Sequence, residues 1–144
     1  MQDDFIALAL GVGLVGLLGI IHHYGILATR RITPDPNKKA HLSMLTLFPA
    51  LLLLHLFEIA LFAGVYYEIA RWPMFGELAD TYPRTWSDYL YFSGINFATL
   101  GYTELKTDGP IRLVSMMQSL GGFMIITWSA TFIYSVWGDQ WRKD

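Results

Sequence analysis

The sequence predicts an all-α membrane protein with three transmembrane helices and a shorter fourth helix that enters and leaves the membrane on one side. Three observations carry this. Of 144 residues, 53% are hydrophobic and 15% charged, where ordinary globular chains carry roughly 25% charged residues. The charges are bunched, so that Phe5 to Thr29 and Leu113 to Gly138 contain none and Leu42 to Tyr67 contains Glu58 alone. Each block exceeds the roughly 20 apolar residues that a helix needs to cross the hydrocarbon layer. Finally, Asp88 and Glu104 bracket fifteen uncharged residues, Tyr89 to Thr103, too few for a helical crossing with its own turn, which predicts a re-entrant segment. A net charge of -2 and a pI near 6 give no basic footprint for nucleic acid. The absence of cysteine excludes disulfides, thiolate catalysis and cysteine-ligated zinc.

The first span begins with the acidic Met1–Asp4, which fits a retained helix better than an export signal with its basic start. Gly13, Gly16 and Gly19 recur every third residue and predict a face that packs closely on a neighbouring helix. Arg30 to Lys39 holds four cations and two prolines, so it should be a short basic loop. The second span, about Leu42 to Tyr67, contains Pro49 as a candidate kink and closes in Tyr66, Tyr67 and Trp72, suited to the membrane interface. Arg71 to Thr85, with Pro73, Gly76, Glu77, Asp80 and Pro83, reads as a surface loop. The pore-helix candidate runs from Trp86 to about Ala98, with Thr85 or Ser87 to cap it and Asp88 in its first turn. The third span, Ile111 to Trp137, carries Gly121-Gly122 near its middle and closes on Trp137, Trp141, Arg142 and Lys143, an interface anchor.

Six cations lie in the first loop and C-terminus and four on the opposite side. That bias places the N-terminus outside and the C-terminus in the cytoplasm of a multi-pass protein of the cell membrane. Two units follow: residues 1–41, the first helix and its basic loop, and residues 42–144, the outer helix, pore helix, loop and inner helix.

The string Thr99-Leu100-Gly101-Tyr102-Thr103-Glu104 resembles the Thr-Val-Gly-Tyr-Gly-Asp selectivity filter of potassium channels and their small bacterial two-span relatives, here with an added N-terminal span. The resemblance covers about Leu42 to Val136. It implies a homotetramer whose four extended loops surround K⁺ with carbonyl oxygens, with Thr99, Leu100, Gly101, Tyr102 and Thr103 as ion ligands. Phe92 and Glu104 would support the filter, and Gly121 and Gly122 would supply a hinge in the inner helix. The expected function is passive K⁺ conduction, without enzymatic activity or cofactor, in contact with lipid, monovalent cations and other copies of the chain. The chain departs from the family pattern at Thr103, where the family has glycine, and at Ala98, often threonine. These departures motivate a first alternative, a non-selective or non-conducting channel-like subunit.

A second constellation is His55 and Glu58, three residues apart on one helical face. An ionised carboxylate in mid-span costs about 2.5 to 3.5 kcal/mol on insertion scales, so Glu58 needs His55, or a Ser, Thr or Gln118 on another helix, as partner. His22 and His23 could join them in a proton relay or, as a second alternative, in a membrane metalloprotein built on His22, His23, His55 and Glu58.

Overall fold

The computed structural model describes residues 1–79, 84–101 and 105–141. Three helices are long and apolar enough to cross a membrane: α1 (Gln2–Ile32), α2 (Ala40–Ile69) and α4 (Ile111–Trp141), with the short α3 (Trp86–Phe97) between the last two. Among the described residues one small ribbon completes the fold, β1 (Glu77–Ala79) paired antiparallel with β2 (Lys106–Asp108). Asp80, Pro83, Arg142 and Lys143 lie outside the described residues.

Local chemistry sets the helix ends. Asp3 and Asp4 in the first turn of α1 and Arg30 and Arg31 in its last oppose the partial charges of the helix dipole. The helix stops at Ile32 because Thr33 precedes Pro34 and adopts an extended conformation, with ψ 125. The Thr33 hydroxyl then donates to the Thr29 carbonyl at 2.7 Å. α2 continues through Pro49 as one helix.

The packed side of α1 corrects one expectation. Ala7, Gly11, Leu18, His22, Ile26 and Thr29 are buried, a stripe of helical period, and a Cβ on Gly11 would press on the Met117 side chain of α4. Gly13, Gly16 and Gly19 lie off this stripe, and a Cβ on any of them would meet nothing within 4 Å. The face was set by His22 and its partners, not by the glycine spacing.

Arg71 to Thr85 is also more than a loop. A short 3₁₀ turn at Pro73–Phe75 leads into β1, and Glu77 pairs with Asp108, Leu78 with Thr107 and Ala79 with Lys106. Gly76 and Gly109 both take φ +82, and a Cβ on Gly76 would overlap the Asp108 carbonyl. Only glycine allows that approach and that left-handed backbone. Strands of three residues give no alternation for sequence reading to find. The ribbon brings together the two ends of the segment that contains α3, and buries Leu78 beneath it.

α3 is held between α2 and α4. The core there is aromatic: Phe62, Tyr66, Phe75, Phe92 and Phe97 are buried with Leu78, Ile111 and Val114. A second cluster, Ile26, Leu47 and Leu51, closes the opposite end against Phe132 and Val136.

Candidate functional site

The segment that resembles a filter begins where α3 ends, and polar side chains fix that end. Thr85 is the N-cap, and the Asp88 carboxylate accepts from its backbone N–H at 2.6 Å and its hydroxyl at 2.9 Å. These bonds, the backbone one foremost, hold the Asp88 carboxyl below its ordinary range. Midway along, the Ser93 hydroxyl donates to the Ile59 carbonyl of α2 at 2.7 Å. The Gln118 amide of α4 donates to the Ser93 hydroxyl oxygen at 2.7 Å and to its carbonyl at 3.2 Å. Tyr66 of α2 donates to the Gln118 side-chain carbonyl at 2.7 Å. This chain of bonds ties three helices together with every buried donor used. Phe92 is buried edge-on against Tyr66, with ring centroids 4.9 Å apart.

The C-terminal end of α3 closes with two reverse hydrogen bonds, Leu100 N–H to the Ile95 carbonyl and Thr99 N–H to the Asn96 carbonyl, each 3.0 Å. This is the Schellman pattern, in which the residue after the cap is left-handed and usually glycine. Here it is Thr99, with φ 55, and Gly101 follows with φ 72. A β-branched residue in that region is a genuine outlier. Ala98 to Gly101 are exposed directly after the buried Phe97. Tyr102, Thr103 and Glu104 lie outside the described residues. Gly122 lets α4 approach this end, because a Cβ there would overlap the Phe97 carbonyl, and a Cβ on Gly121 would press on Val15 of α1 at 2.9 Å. α4 runs through both glycines unbroken.

Glu58 is fully buried below this turn. Its Oε1 lies 2.9 Å from His22 Nδ1 and its Oε2 lies 3.0 Å from His55 Nδ1. The Nε2 atoms of the two histidines meet a single hydroxyl, that of Ser129, at 3.2 Å and 3.1 Å. The imidazoles stack nearly parallel, 5.5 Å between centroids and 6° between planes. Thus α1, α2 and α4 each contribute to one closed ring. Among the described residues, His22, His55 and Glu58 are the trio with donor atoms near enough for a metal, within 4.8 Å of one another. His23 stands apart, exposed, with its ring against Tyr24 and Trp128. Gln118 is not a partner of Glu58, being engaged by Tyr66 and Ser93.

Sequence reading missed Ser129, Tyr66 and Ser93 as members of these networks. The signal available was faint: Gln118 and Ser129 are eleven residues apart, three helical turns, and so share the face of α4 that turns inward.

The fold is that of a multi-pass helical membrane protein in which a short anchored helix ends in a left-handed, exposed turn beside the long apolar α4. Residues 54–137 match the family described as "Ion channel", two-span and potassium-channel-like. The chain belongs to this family of ion channels. A stretch of 55 residues is also 40% identical to the uncharacterized membrane protein YdjJ of Bacillus subtilis (strain 168), covering 38% of this chain and 16% of the relative's length. No solved structure matches the chain.

Proposed function

We propose that four copies of the chain form a K⁺-conducting pore, with Thr99, Leu100, Gly101, Tyr102 and Thr103 of each copy supplying the ion's ligands. The observation that carries this reading is the exposed turn from Ala98 to Gly101, left-handed at Thr99 and Gly101, at the end of a helix buried on either side. α3 is roughly 18 Å long, so a re-entrant α3 delivers this turn to mid-membrane, where lipid offers backbone groups no partner. Other copies of the turn around a water-filled axis do. A single turn supplies only a fraction of an ion's ligand shell, which is the reason for several copies. Residues 42–144 then make up the pore unit, and α1 braces the inner helix through Gly11 and Gly121. The chain needs no cofactor for this task, and no catalytic step.

The cation count of the loops supports an external N-terminus and a cytoplasmic C-terminus in the cell membrane, with α3 inserted from outside. Efflux of K⁺ from liposomes holding the purified protein tests the reading. Efflux should exceed that of empty liposomes, and Gly101→Ala should lower it severalfold, because φ 72 strains a residue that carries a side chain. Undiminished efflux in that variant would move the pathway away from this turn.

A further inference from the structure

The hydrogens of the ring around Glu58 can be counted. Its four contacts need one hydrogen each. An ionised Glu58 accepts from both Nδ1–H groups, which leaves two Nε2 atoms facing the single Ser129 hydroxyl. That hydroxyl donates to one Nε2 and accepts from the other, which must therefore carry a proton. Four hydrogens fill four contacts, and one imidazolium offsets one carboxylate. Moving the imidazolium's Nδ1 proton to Glu58 leaves that imidazole neutral and gives a second arrangement with no net charge and the same count.

Both neighbouring states disturb Ser129. With three hydrogens the ring carries −1, and Ser129 faces one Nε2 with no hydrogen between them. With five it carries +1, and Ser129 accepts from both imidazoles only by turning its O–H toward its own helix backbone, as helical serines can. Uncompensated charge in a buried membrane site is costly either way. Ser129 belongs to α4. The His55 ring also lies 5.6 Å from that of Phe97, whose carbonyl lies against Gly122 and which stands two residues before Thr99.

We propose that His22, Glu58, His55 and Ser129 form a proton-binding site that holds α1, α2 and α4 together at four hydrogens, and that gain or loss of one proton changes conduction through Ser129 and Phe97. This rests on the channel reading above. Among the described residues, few other groups lie near the ring. α1 adds the exposed His23, α3 presents Phe97, and α4 presents Trp128, whose ring meets that of His22 edge-on at 5.4 Å. Arg30 and Arg31 stand roughly 12 Å or more further along α1. A divalent metal in place of the protons would sit with Glu58⁻ and two neutral imidazoles, leaving +1 in the same buried place, so charge balance favours protons.

The test is K⁺ efflux from liposomes across about pH 5 to 9, together with ¹⁵N spectra of the imidazoles. A one-proton equilibrium shifts its population ratio about tenfold per pH unit, so wild-type efflux should pass from one plateau to another, differing by more than about twofold, within about two pH units. Ser129→Ala should conduct with less than about twofold change over the same range, and Ser129→Thr, which keeps the hydroxyl, should restore the dependence. A wild-type pH profile in Ser129→Ala overturns the proposal. So does stoichiometric metal in the purified protein that His55→Gln removes. Should the wild type conduct nothing, the channel reading fails, and the spectra decide the ring separately. His22 and His55 titrating together, over a range that Ser129→Ala alters, supports it; independent titrations untouched by Ser129→Ala overturn it.

Discussion

Thr99 holds a backbone conformation that costs a β-branched residue on the order of 1 to 3 kcal/mol, and it does so at the first position of the filter-like turn. Strain of this kind persists where surrounding contacts over-determine the backbone, and here the buried Phe97 before it and the paired reverse hydrogen bonds do so. Thr99→Gly should therefore raise thermal stability while lowering K⁺ efflux, since the threonine hydroxyl is lost from the proposed innermost ring. A melting temperature unchanged or lowered by the glycine would show that Thr99 is unstrained. The sequence pointed instead to Thr103, four residues on, where the family pattern it resembles has glycine. There the expectation is that Thr103→Gly sharpens preference for K⁺ over Na⁺, read from reversal potentials. The pairing of Glu58 with His55 was legible from a spacing of three on one helix. His22 was named beside His23 as a candidate for the same cluster, and it is His22 that joins Glu58; Ser129 was not legible, because nothing local joins positions 71 residues apart in the chain.

The position of α3 depends on three side chains from three helices. Gln118→Leu removes both the donor to Ser93 and the acceptor of Tyr66, leaving the buried Tyr66 hydroxyl without its acceptor at about 1 to 3 kcal/mol and the Ser93 hydroxyl with its bond to the Ile59 carbonyl alone. Efflux should fall and stability should drop by several degrees, with Gln118→Glu, which keeps the acceptor, the milder change in the acceptor half. Equal behaviour of Gln118→Leu and wild type in both assays would show that α3 is held by its apolar contacts alone. The N-terminal end of α3 adds a pH-dependent contribution. Asp88 has a lowered carboxyl pKa, so its contribution is present above the ordinary carboxylate range and is lost as pH falls through the folded value. Asp88→Ala should lower the melting temperature at neutral pH, and the difference from wild type should vanish in acid; a difference that persists there contradicts the capping role. Helix ends were legible wherever capping and charge residues mark them: α3 starts at Trp86 as read from Thr85 and Asp88, and α1 stops before Pro34. The three spans came out longer than the charge-free blocks, because a helix continues past the hydrocarbon boundary once its backbone bonds are formed. The β1–β2 ribbon was illegible, since its pairing is set by two glycines 33 residues apart rather than by any pattern within either strand.

At the scale of the whole molecule, three crossing helices and one short one were legible from the distribution of charge, which the bilayer penalises strongly enough to dominate weaker signals. The packed side of α1 was not, because close approach at glycine is a permission and not a driving force; the buried ring supplied the force. Gly121 and Gly122 illustrate the same point. Each faces a neighbour that a methyl group would strike, so Gly122→Ala should displace the end of α3 and cost efflux even when α4 never bends. On the proposed reading, the turn from Thr99 onward selects K⁺ at an axis shared by several copies. The most direct test is the reversal potential of the reconstituted protein with K⁺ on one side of a planar bilayer and Na⁺ on the other. A potential displaced toward the K⁺ equilibrium value, and shifted by substitution at Thr99 or Gly101, is the predicted result. A potential at zero that neither substitution moves would contradict the account.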